Sequence, residues 1–210
     1  QGNNQKEINT QIGGKLVLFR VLSRISSDII QYADHLVNLI QLAENSDHSL
    51  YAEALDVGLD FCSFFELNEL GSQLVTKLVS EIQQVKGIES LKGLIDAIRH
   101  PIEQESSFLE EATLFKTLLE LFCDKNLSVE DRIDVHSVLI ILLDSYDIPS
   151  PMIVAFLKGI LELMEYLFVS DDSQQNAFLI EYFGDCVSQN SNNIKIIIQA
   201  ISNINSQSSN

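Results

Sequence analysis

Apolar residues recur every three or four positions from about residue 14 to about residue 202, and almost nothing interrupts them. Three prolines and nine glycines in 210 residues are too few breakers to punctuate the short strands of a sandwich or barrel. No stretch alternates with period two for long enough to make a convincing strand, so the pattern predicts an all-α fold.

The spacing predicts about ten helices joined by short polar turns: 14–25, 28–44, 48–66, 70–85, 88–99, 107–123, 129–144, 151–169, 172–187 and 192–202. The Ile196–Ile198 run in the last of them also fits a strand. Asp47 is placed to cap the helix at 48, and Ser128 the one at 129. Ser107 with Glu110 reads as a capping box, and Ser150 before Pro151 as a further start. His100-Pro101 should end the helix before it, because proline disfavours helical backbone in the preceding residue. The helices 129–144 and 151–169 are the most apolar and are expected to be the centre of the core. Lys158, Glu162 and Glu165 argue that 151–169 is a buried helix and not a membrane span. Residues 1–12 and 203–210 are polar and without period, so frayed ends should flank a single helical domain over 13–202.

Thirteen Lys and Arg stand against thirty Asp and Glu, a formal net charge of −17. The first 27 residues run the other way, with Lys6, Lys15, Arg20 and Arg24 against Glu7 alone. An acidic body repels phosphate backbones, which speaks against nucleic acid and favours a protein or peptide partner with basic residues. The basic amphipathic segment 14–25 could meet an anionic membrane, but charge complementarity favours its docking on the acidic body, so a membrane partner is not expected. Cys62, Cys123 and Cys186 are odd in number and lie in apolar runs. They read as buried thiols of an intracellular protein, cytoplasmic or nuclear.

No phosphate-binding glycine loop, nucleophile elbow or zinc-protease motif occurs, so no catalytic residue, cofactor or metal is expected. His35, His48, His100 and His136 read as structural or surface residues. One constellation stands out: Glu53, Asp56 and Asp60 at i, i+3 and i+7 share a helix stripe that could receive Lys or Arg from a bound peptide. Left to itself the same stripe is a solvated helix face.

Two stretches resemble one another. Ser46 to Leu59 is a polar turn leading into an amphipathic helix, and Leu127 to Leu139 repeats it about 81 residues on, with a third start at Asp171 about 44 further. The turn with its Asp, and the helix carrying Asp131, Arg132, Val135, Val138 and Leu142, resemble armadillo/HEAT-type helical repeats over roughly 28–200. Around 86–105 the pattern is missing. The resemblance implies a right-handed helical-repeat stack that binds proteins along a concave surface, with an irregular helical bundle as the alternative architecture. The function it implies is that of a non-enzymatic interaction scaffold, a fragment of a larger protein. The alternative is a helical regulatory domain of the exchange-factor or GTPase-activating type, for which Arg99 and Arg132 are the candidate residues.

Overall fold

The computed structural model describes residues 2–84 and 88–169. Among them are eight α-helices, one 3₁₀ helix and no strand. By contacts the chain falls into two compact units, 1–148 and 149–210. The larger unit holds α1 (Gly2–Ile25), α2 (Ala33–Glu44), α3 (His48–Phe65), α4 (Asn68–Gln84), α5 (Ile88–Glu103), α6 (Glu111–Phe122) and α7 (Val129–Ser145). In the second, α8 (Ser150–Val169) buries Phe156, Leu157 and Leu163 and exposes Leu161. Among the described residues no helix is long and apolar enough to cross a membrane. The helices expected at 172–187 and 192–202 and the tail 203–210 lie outside the described residues.

Local capping chemistry sets several of these boundaries. Asp47, in extended backbone, accepts from the amides of Ser49 (2.8 Å) and Leu50 (3.4 Å), satisfying donors that the first turn of α3 leaves open. Ser128 does the same for α7 by accepting from the amide of Asp131 at 3.1 Å. Segment 28–44 is not one helix. A 3₁₀ helix, Ser27–Tyr32, is capped by Ser26 and hands over to α2 at Ala33.

Elsewhere tertiary packing overrides the local signal. Residues 2–12, expected to fray, are the first turns of α1. Ile12 is buried, and Gln5 donates to Asn9 within the helix at 3.1 Å. Pro101 does not stop α5, which continues to Glu103. Pro101 and Ile102 are both buried, and the amide of Gln104 still reaches the carbonyl of His100 at 3.0 Å. The box at Ser107 does not form. Phe108 and Leu109 are drawn into the core, Ser107 donates to Asn68 at 2.9 Å, and α6 starts only at Glu111 without a side-chain cap.

The centre of the larger unit is α3, not the pair 129–144 and 151–169 that apolar content alone suggests. Its residues from Leu50 to Cys62 are buried nearly all round, and α1, α2, α4 and α5 pack on it. Small residues make this possible. A Cβ on Gly58 would fall 2.8 Å from methyls of Ile40 and Leu74, and one on Gly93 would sit 3.0 Å from that of Ala52. Burial follows how closely neighbours can approach, not how greasy a helix is. The odd-numbered helices touch in succession, α1 on α3, α3 on α5 and α5 on α7. Of the even ones, α2 packs on α1 and α3, α4 on α3 and α5, and α6 on α4 and α7.

Candidate functional site: an acidic cleft between three helices

The row Glu53, Asp56 and Asp60 on α3 meets two other rows. Arg20 and Arg24 are one turn apart on α1, as Asp56 and Asp60 are on α3, so the two helices engage in register. Arg20 Nη2 donates to Asp56 Oδ2. Arg24 Nη2 donates to both oxygens of Asp60, at 2.7 and 2.9 Å. On α5, Gly93, Asp96 and His100 repeat the i, i+3, i+7 spacing of the α3 row. His100 Nε2 lies 2.9 Å from Asp60 Oδ1. Asp60, 9% exposed, is the tie point of all three helices. The guanidinium of Arg24 also lies over the ring of Phe64, 5.4 Å from its centroid, and Phe19 meets Phe61 edge to face.

Below this tie opens a cleft of about 350 Å³. Ala52 and Ser49 contribute small side chains to its wall and Gly93 its bare backbone. Glu53, Asp56 and Asp96 bring three carboxylates to its wall, and Arg20 brings one positive charge. Glu53 and Asp96 are exposed, whereas Asp56 is half-buried. Burial raises the pKa of the Asp56 carboxyl above its ordinary value. The charge and hydrogen bond of Arg20 and the charge of His100 oppose that rise, and Asp60 adds to it. One guanidinium therefore does not fully compensate this carboxylate.

The expected stripe is thus divided. Glu53 faces the cleft, Asp56 is shared between Arg20 and the cleft, and Asp60 is closed off by Arg24 and His100. Sequence reasoning missed Asp96, Gly93 and His100. Their spacing on α5 matches that of the α3 row, but the crossing that brings the rows together rests on the close approach of Ala52 to Gly93. His100, read as structural or surface, holds Asp60 beside the cleft and does not line it.

Arg132 is buried, donates to the carbonyl of Phe122 at 2.7 Å and lies over its ring. Arg99 donates to Ser137 at 3.0 Å. Cys62 is buried, and its thiol is pushed up to about 12 by that burial, whereas Cys123 is exposed, contrary to expectation; Cys186 lies outside the described residues. Among the described residues no group of three or more His, Cys, Asp or Glu could hold a metal ion. Comparison with protein-family models, with curated proteins and with solved structures returned no match.

Proposed function

We propose that the chain is a non-enzymatic interaction scaffold, a stack of helical repeats whose acidic cleft receives a Lys or Arg side chain of a protein or peptide partner. The observation that carries this reading is the charge balance of the cleft: Glu53, Asp56 and Asp96 against Arg20 alone. Desolvation of Asp56 in spite of Arg20 leaves a surplus that a second cation would relieve. A volume of about 350 Å³ accommodates a guanidinium or ammonium head with its first methylenes. The succession of odd-numbered helices, each packed on the next with even-numbered helices along them, supports the repeat-stack architecture.

The test is a titration of the full chain with a labelled Arg/Lys-rich peptide and with its citrulline/Gln counterpart. The basic peptide binds and the neutral one does not, and affinity falls with added salt. The double substitution Glu53→Gln/Asp96→Asn weakens binding about three- to tenfold, the sum of two partly exposed charge pairs. Unchanged affinity in that variant rejects the cleft as the binding site.

A further inference from the structure

We propose that the outward face of α1 is a docking surface for an amphipathic helix of a protein partner. The guest lies alongside α1 with its apolar side on Val17, Leu18, Val21 and Ile25 and its basic flank over the acidic cleft. The inference rests on the reading of the cleft given above and names the kind of partner it serves.

The four side chains are 54%, 54%, 52% and 72% exposed and follow one another at i, i+1, i+4 and i+8. Ile25 is nine residues from the fully buried Leu16, two and a half turns, and so lies about 180° around the helix from it. Val17, Val21 and Leu18 lie about 100°, 140° and 200° around the helix from Leu16, so the stripe runs from the edge beside Arg24 to the side turned away from the buried face. Among the described residues, α3 and α5 each have an odd-numbered neighbour on both sides in the succession α1–α3–α5–α7, whereas α1 has α3 alone. Its outer face occupies the place where the next helix of the row would lie. That outer face carries four aliphatic side chains where a solvated helix face is ordinarily polar. Gly14, one turn before Val17 and Leu18, leaves open space where a Cβ would stand, which lets a second backbone come close.

Charge selects the guest. Val17 and Val21 adjoin Arg20 and Arg24 on the helix surface, so the stripe borders the cleft side of α1. The charges of those arginines are engaged by Asp56 and Asp60. What this border offers a guest is therefore Glu53 and Asp96, and the matching flank is basic. A second copy would bring another −17, and an anionic bilayer would be repelled by the same excess.

Two probes of about 18 residues, five helical turns, test the proposal. Both carry leucines along one face, and the polar face is Lys in one and Glu in the other. The Lys probe binds the full chain and the Glu probe does not. Val21→Asp weakens the Lys probe at least about tenfold even though it makes the protein more acidic, and Ile25→Gln weakens it about three- to tenfold. Circular dichroism of both variants verifies the helix content. If Val21→Asp leaves affinity unchanged or raises it, the attraction is electrostatic and the stripe is not the seat. The cleft reading then stands or falls separately, on Glu53→Gln/Asp96→Asn. A dimer of the protein alone that Val21→Asp dissolves, or Val21-dependent flotation with neutral phosphatidylcholine vesicles, also overturns the proposal by assigning the face to a second copy or to a bilayer.

Discussion

His136 shows how a single buried side chain sets the response of this fold to acid. It is 2% exposed on α7 and tilted against the ring of Phe122, with 5.8 Å between centroids. Burial penalises the charged imidazolium and lowers its pKa from the ordinary 6.5 to about 4. The unfolded chain takes up a proton there as the pH drops below about 6.5, while the folded chain refuses it until about 4. Stability from this residue is therefore complete above that range and is lost as the pH falls through it. Between pH 7 and pH 4.5 the loss is about 2–3 kcal/mol at this site. His136→Gln should be less stable at neutral pH yet show a shallower acid decline by roughly that amount, measured by urea unfolding at the two pH values. An equal decline in both proteins would remove His136 as its source. Asp60 acts on the same scale by a different route, since its carboxylate is tolerated inside because Arg24 and His100 hold its oxygens.

At the scale of the element, the starts of α3 and α7 were legible because a cap is local: the hydroxyl or carboxylate meets an amide two or three residues on. Asp47→Ala should cost about 1 kcal/mol in chemical denaturation, while Ser107→Ala should stay within about 0.5 kcal/mol, because Ser107 caps nothing and makes one exposed bond to Asn68. A large loss at Ser107 would contradict the observed start of α6. What could not be read was each place where a distant contact decides. Phe108 sits so close over Gly71 that an added Cβ there would fall 2.5 Å from the ring, and that insertion breaks the helix signal at Ser107. The first turns of α1 have few apolar residues to announce them, and it is Ile12 against the body that holds them. The candidate site divides along the same line. The carboxylate row on α3 is a matter of spacing within one helix and was visible. Its partners Asp96 and His100 depend on which helix crosses which, and no periodicity in α3 or α5 reports that.

For the whole molecule the dominant fact is the excess of negative charge, −17 over 210 residues. Self-repulsion of this size opposes the compact state. Raising sodium chloride from about 10 mM to about 150 mM shortens the screening length from about 30 Å to about 8 Å. The thermal midpoint should rise by about 2–4 °C, corresponding to about 1 kcal/mol, as followed by circular dichroism. A flat or falling midpoint would mean that specific pairs outweigh the net field. The fastening of α1 responds with the opposite sign. Its two ion pairs involve arginines nearly half exposed to solvent, so the counterions that calm the body also loosen the clasp at its amino-terminal edge. Hydrogen exchange read residue by residue should show that divergence, with amides of α3 slowing and amides of α1 quickening over one salt series. No ionic strength suits both at once, and a bound guest would have to be sought where neither has yet prevailed.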